Sequence, residues 1–224
     1  MLKLFKNAHI YTPNYIGKKD ILVAFGKILS IEENIQVDNF KDIEVYNLEG
    51  LSIAPGLIDA HIHIAGAGGE GGPATRTPEL RPSQLVEAGI TTVVGCLGTD
   101  GITRTAESVL MKVKSLRLQG FSAYMYTGAY QVPTPTITGS VAKDLAIIDE
   151  VIGVGEIALS DHRSSFPTTF ELTQLVAQCR VGAMMGGKAG IVNIHMGDAQ
   201  NPFKPIYDRS EERRVGKECR SRWS

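Results

Sequence analysis

Apolar and polar positions follow two different rhythms along the chain. As far as about Leu51, short runs rich in β-branched and apolar residues, KLFKNAHIY, DILVAFGKILSIE and IEVYNLEG, are punctuated by turn residues such as GKK and FGK. This pattern predicts a small β domain over residues 1–52. From Ile53 the runs become continuous: GLIDAHIHI, TTVVGCLG, SAYMYTGAY, VIGVGEIAL and GIVNIHM. Apolar runs without alternation suit strands buried on both faces, as in a parallel sheet. Between them, TAESVLMKVKSLRLQG sets Ala106, Val109, Leu110, Val113 and Leu116 on one helical stripe and ends on Gly120. TFELTQLVAQCRVG does the same with Leu172, Leu175, Val176 and Cys179, and its predicted end is Gly182.

Strand and helix alternate in this way across residues 53–208, which predicts a parallel α/β architecture, either a barrel or a doubly wound sheet. The chemistry-bearing residues favour the barrel. His61 and His63 close the first run, Thr99 follows the second, Tyr130 the third, Asp161 to Arg163 the fourth and His195 the fifth. Barrel enzymes build their sites at the carboxyl ends of all their strands, whereas a doubly wound sheet gathers its ligands at one switch point. The expected fold class is therefore α/β: about five strands of a (β/α)8 barrel, truncated relative to eight, with part of a small β-sandwich at the amino terminus.

Composition adds exclusions. A chain of 224 residues, 43% hydrophobic and 21% charged, can bury a real core. Its formal net charge of -1 offers no electrostatic attraction for nucleic acid or an anionic membrane. Lys3, Lys6 and Asn7 interrupt the first apolar stretch short of a signal-peptide core, and no later run is long enough to span a bilayer. A cytoplasmic location is expected, and the three cysteines, Cys96, Cys179 and Cys219, are expected as reduced thiols. Residues 209–224, RSEERRVGKECRSRWS, are strongly basic and show no helical or strand period. They read as a non-native tail, since Arg-Ser-Glu-Glu-Arg-Arg is the conceptual translation of a short-read sequencing adapter.

Candidate chemistry begins with His61 and His63, which project to the same side of a strand and can reach one metal ion. His195 ends the fifth run on the same rim, while His9 lies in the β domain and is read as structural. Glu156 stands inside an apolar run, where a carboxylate costs several kcal/mol unless it is paired or bound to metal. Arg163, at the same strand end, has the planar fork that suits a carboxylate, of a substrate or of a neighbouring acid. After the paired histidines comes GAGGEG, Gly66 to Gly71, whose glycine spacing imitates a dinucleotide loop. Pro73 and Pro78 block the helix that such a loop needs, so bare backbone that lets a substrate approach is the better reading. Glu70 is the one charged group in the loop, either solvated or suited to a substrate ammonium. GAMMGGKA, Gly182 to Ala189, imitates a phosphate loop but has Ala189 where a hydroxyl belongs and precedes a strand.

PGLIDAHIHI resembles the first barrel strand of the amidohydrolase superfamily. GAGGEGGPATRTPEL, GTDGITR, TGAYQVPTPTITGSVAKD, VIGVGEIALSDHRSS and GGKAGIVNIHMGD resemble its isoaspartyl dipeptidase (β-aspartyl peptidase) family, up to about Asp198. The resemblance implies metal-dependent hydrolysis of the β-linked amide of isoaspartyl dipeptides by a metal-bridged hydroxide, in a homo-oligomer. It implies two zinc ions, with His61 and His63 on one and His195 on the other. Glu156, preceded by one extra residue, Gly155, stands where well-known members bridge the metals with a carboxylated lysine. Glu70 would receive the substrate's ammonium, Arg163 its carboxylate and Tyr130 the oxygen of the attacked amide, with Thr99 and the backbone of Gly68 orienting the dipeptide. The alternatives are a cyclic amidase, dihydroorotase-like or hydantoinase-like, and a non-catalytic piece of such an enzyme. The family pattern calls for a further histidine on a sixth strand and an aspartate on an eighth, so five strands alone are expected to be inactive.

Overall fold

Strand β1 (Leu2–Tyr11) turns back through residues 12–14 into β2 (Tyr15–Ala24), and Phe25 and Gly26 then carry the chain into β3 (Lys27–Glu32). Both residues of this second turn have positive φ, 52° and 73°, the twist that a two-residue hairpin connection requires. The computed structural model describes residues 2–37 and 40–215, with side chains as far as Arg209, and separates into two units, Met1–Gly56 and Leu57–Ser224. Cys219 and the rest of the tail beyond Val215 lie outside the described residues.

The first unit is one sheet in the order β3-β2-β1-β4, with β4 (Ile43–Asn47) and β5 (Ser52–Ile53) both parallel to β1. It is a single layer of the expected sandwich, packed on Ala8, Ile10 and Ile21. Because β5 adds to β1, the unit reaches Gly56 rather than residue 52. GKK is not a turn: Gly17 to Lys19 pair within β2 against Ala8 to Ile10, and Lys18 meets Glu49 at 2.8 Å on the exposed face. His9 meets the Tyr15 hydroxyl at 2.9 Å. Asp20, 1% exposed, is satisfied by the amides of Asn7 and Ile35 at 2.9 and 3.0 Å.

The second unit holds the five expected strands, β6 (Leu57–Ile62), β7 (Ile90–Gly95), β8 (Ser122–Thr127), β9 (Val151–Leu159) and β10 (Ile191–Met196). All pair in parallel and in chain order. An order without reversal has no switch point, so the doubly wound alternative falls and the sheet is the curled half of a barrel. Helix α1 (Pro82–Glu87) crosses from β6 to β7, α2 (Ala106–Leu118) to β8, α3 (Val141–Ile147) to β9 and α4 (Thr169–Gly186) to β10. Helix α2 starts on the Thr105 hydroxyl and buries Ala106, Val109, Val113 and Leu116, as its stripe predicts, against Val93, Met125 and Val151. The 6 and 7 residues of α1 and α3 are too few to display a stripe, which is why neither is predicted.

Helix α4 runs past its predicted end at Gly182 to a left-handed cap at Gly187, φ 65°. Gly182 is a packing residue: a Cβ there would lie 2.3 Å from the Ala142 carbonyl oxygen, and one on Gly186 2.5 Å from that of Leu145. The two glycines, four apart on one face, let α3 lie directly on α4. Lys188, in the false phosphate loop, donates to the carbonyls of Leu145 and Ile148 and so ties down the end of α3. The GPATRTP segment forms one 3-10 turn, Pro73–Thr75, in place of a helix. Helix α5 (Lys204–Val215) runs into the tail, although residues 209–224 show no helical period. Its Glu and Arg residues are good helix formers, and propensity acts there without an apolar stripe. Among the described residues, no helix is long and apolar enough to cross a membrane.

Candidate metal centre

His61 and His63 leave the end of β6 with their rings 5.5 Å apart and edge to face. The Cys96 carbonyl lies 3.2 Å from Nδ1 of His63, which orients the ring and leaves Nε2 facing the strand ends. A Cβ on Gly98, where φ is 71°, would strike His63 Cε1 at 2.6 Å, so only glycine fits behind this ring. Burial, with Glu156 and Asp59 nearby, pushes the Cys96 thiol up, and its Sγ packs 3.5 Å from His63 Nδ1. Both described cysteines are free.

Glu156 enters from β9 through a bulge. Val154 pairs with Val192 and Ile157 with Ile194, so Gly155 and Glu156 together oppose Asn193 alone. The extra residue re-aims the following side chain, as bulges do. Gly155 is required there, since a Cβ would lie 2.7 Å from the Asn193 carbonyl oxygen. The carboxylate is 2% exposed and is surrounded by three imidazoles. Its Oε2 lies 3.1 Å from His61 Nε2 and 3.8 Å from His63 Nε2, and its Oε1 lies 2.6 Å from His195 Nδ1. Yet Oε2 has no hydrogen-bond partner.

A buried, orphaned carboxylate oxygen facing two imidazole nitrogens is a costly arrangement for a polar network and a natural one for a divalent cation. His61, His63 and Glu156 lie close enough to share one ion, with Cys96 beside them, and His195 faces the other oxygen of Glu156. The residues present therefore fit a metal centre.

The remaining predicted residues ring this cluster. The Tyr130 hydroxyl is 2.9 Å from His195 Nδ1, and burial and the Glu156 charge push the phenol up, so it stays protonated. Arg163 lies over the Tyr130 ring, 5.2 Å from its centroid. Its Nη1 meets Glu70 Oε1 at 3.2 Å, and the Thr99 hydroxyl donates to the same oxygen at 2.7 Å. The Thr99 bond is the leading reason that the Glu70 carboxyl is held below the usual range. Gly68, φ 72°, lines a hollow of about 340 Å³ with Glu70, Pro73, Thr99 and Ile102. All the predicted side chains thus meet at one end of the sheet, and Gly68 borders them through its loop.

Sequence reasoning names Asp161 only as a strand-end position. It is 5% exposed and pairs with both Arg163 and His195. Also missed is Asp100, which joins the two loops that carry Glu70 and Thr99: Arg76 meets it at 2.8 Å and Arg104 at 3.8 Å. Arg104 in turn donates to the carbonyls of Ala67 and Thr77. A lone acid and scattered arginines on loops carry no periodic signal.

No protein-family profile matches the chain. A beta-aspartyl dipeptidase from Fervidobacterium islandicum AW-1, solved in complex with beta-Asp-Leu dipeptide, is 50% identical with a TM-score of 0.90, covering 95% of this chain and 56% of that one. The dihydroorotase of Aquifex aeolicus is 32% identical over 173 residues, which is 73% of this chain and 37% of that protein. A D-hydantoinase at 20% identity and a TM-score of 0.54 shares the fold. The chain thus spans just over half the length of the dipeptidase structure and little more than a third of the dihydroorotase. With its sequential parallel sheet, its strand-end histidines and these likenesses, the chain belongs to the amidohydrolase superfamily, within which it resembles beta-aspartyl dipeptidase.

Proposed function

We propose that the protein hydrolyses the β-linked amide of isoaspartyl dipeptides at a zinc centre held by His61, His63, Glu156 and His195. The observation that carries this reading is the opposed pair Glu70 and Arg163, 3.2 Å apart and beside the buried carboxylate and its imidazoles. A dipeptide has an ammonium and a carboxylate, and these two side chains offer one partner to each. The 50% identity to a structure holding beta-Asp-Leu supports the same substrate class.

In this reading, Glu70, ionised and steadied by Thr99, takes the α-ammonium, and Arg163 takes the carboxylate. Fixing both ends sets the β-linked amide over the metal-binding residues, and this positioning supplies selectivity for the isoaspartyl linkage. A pair of divalent cations, when bound, supplies activation of water and polarisation of the amide carbonyl. Tyr130, held protonated, donates its hydroxyl hydrogen to the amide oxygen as negative charge develops there. The backbone of Gly68 contributes to orienting the dipeptide in the hollow beside Glu70. A cytoplasmic homo-oligomer completes the proposal.

Dihydroorotase relatives make cyclic amides the competing substrates. A cyclic amide has no free ammonium for Glu70. The full gene product is expected to cleave β-Asp-Leu and to leave both α-Asp-Leu and N-acetyl-β-Asp-Leu intact, measured by release of leucine. Equal rates on the α- and β-linked dipeptides, or hydrolysis of dihydroorotate or hydantoin alone, contradict the assignment.

A further inference from the structure

Arg163 presents two edges of donors. Asp161 occupies one: Nε meets Oδ1 at 2.9 Å, Nη2 meets Oδ2 at 2.8 Å, and the Arg163 amide also donates to Oδ1 at 2.8 Å. The other edge faces the substrate loop, with Nη1 at 3.2 Å from Glu70 and Nη2 at 3.1 Å from Nε2 of His195. That same imidazole nitrogen lies 3.2 Å from Asp161 Oδ2. His162 Nδ1 is 3.6 Å from Oδ1 on the exposed side. One carboxylate therefore touches both the charged clamp for the substrate and a histidine of the metal cluster.

Asp161 is also boxed in. A Cβ on Gly197 would lie 2.3 Å from the Ser160 carbonyl oxygen and 2.5 Å from Asp161 Cα, so the exit of β10 lies directly against this backbone. The Ser164 amide closes the turn onto the Asp161 carbonyl at 2.9 Å. A buried group with its backbone fixed on two sides can set the orientation of its neighbours.

We propose that Asp161 is the positioning residue that couples the two halves of this site. By holding the Nε and Nη2 edge of Arg163, it turns the Nη1 and Nη2 edge toward Glu70 for the substrate's carboxylate. By accepting the Nε2 proton of His195, it leaves Nδ1 beside Glu156 free to bind metal. The Arg163 half of this inference rests on the dipeptidase reading; the His195 half does not.

The coupling follows from hydrogen-bond arithmetic. A neutral imidazole has one ring proton, so Nε2 either accepts from Arg163 Nη2 or donates to Asp161 Oδ2, never both. With a metal on Nδ1, the proton stays on Nε2 and is given to Asp161. Arg163 Nη2 then loses its acceptor on the imidazole and is open to a substrate carboxylate. Metal loading and readiness of the clamp are thus linked through one aspartate.

The test is Asp161→Asn, which keeps the size of the side chain and an acceptor for the turn but removes the charge. Zinc affinity, measured by competition with a chromogenic chelator, is expected to fall about 10- to 100-fold. The KM for β-Asp-Leu is expected to rise at least about tenfold with a smaller change in kcat, because orientation of the clamp is a binding term. Arg163→Lys serves as comparison and is expected to raise KM while changing zinc affinity far less than Asp161→Asn does, because it keeps the carboxylate that accepts the His195 proton. Zinc affinity of folded Asp161→Asn within about twofold of the unaltered protein overturns the proposal. Should Asp161→Asn fail to fold, the ring nitrogen shifts of His195 in the zinc-loaded, unaltered protein decide. Metal on Nδ1 with the proton on Nε2 supports the proposal, and the reverse overturns it. If the unaltered protein leaves β-Asp-Leu intact, the dipeptidase reading fails, while the zinc and nitrogen measurements still judge Asp161.

Discussion

Glu156 shows how one residue can be expensive in isolation and useful in company. A carboxylate at 2% exposure, with one oxygen lacking a hydrogen-bond partner, is destabilising until a cation arrives. Glu156→Gln is therefore expected to make the metal-free protein at least as stable as before and to abolish the rise in Tm that zinc produces. Glu70→Gln, on the exposed side of the site, should keep that rise and lose affinity for the dipeptide. Scanning calorimetry with and without zinc, followed by titration with product aspartate, separates the two variants. A full zinc-induced rise in Glu156→Gln would remove this residue from the metal set. The histidines and Glu156 are legible in sequence because each interrupts or ends an apolar run. Asp161 is not, because its importance arises from contacts with Arg163 and with His195, 34 positions away, and no local pattern encodes which groups meet across β9 and β10.

At the scale of elements, glycine is the residue whose meaning sequence leaves undecided. Gly182 and Gly187 both follow an apolar helical stretch, and either could stop it. Only the second adopts the left-handed cap, while the first admits the backbone of α3. Gly182→Ala is expected to cost about 1–3 kcal/mol, because the new Cβ has no room against Ala142. Met185→Ala, on the same helix but 78% exposed, should stay within about 0.5 kcal/mol of the unaltered protein. Urea denaturation midpoints give both values, and equal midpoints for the two variants would refute the packing role. Strand existence is far more legible than helix ends: all five parallel strands coincide with the predicted apolar runs, interrupted in β6, β9 and β10 by polar residues. The bulge at Gly155 and Glu156 was visible only as one extra residue, and its geometry emerges from the pairing with Asn193.

At the scale of the whole molecule, the second unit places three histidines, two acids, an arginine and a tyrosine at the carboxyl ends of successive parallel strands. That placement is a property of the topology: each strand contributes its terminal side chains to the same rim. The barrel reading was open to the sequence because the chemistry recurs at every strand end, while the extent of the first unit depended on the short strand β5, which is too brief to announce itself. The central claim is that this rim combines a metal centre with a clamp for both ends of an isoaspartyl dipeptide. It is tested most directly by following β-Asp-Leu hydrolysis in the full gene product as isolated, after exhaustive chelation, and after zinc is restored in bicarbonate-free buffer. The account predicts loss of activity on chelation and recovery with zinc alone, because a glutamate needs no carboxylation. Activity that survives removal of the metal, or recovery that requires bicarbonate, would contradict it.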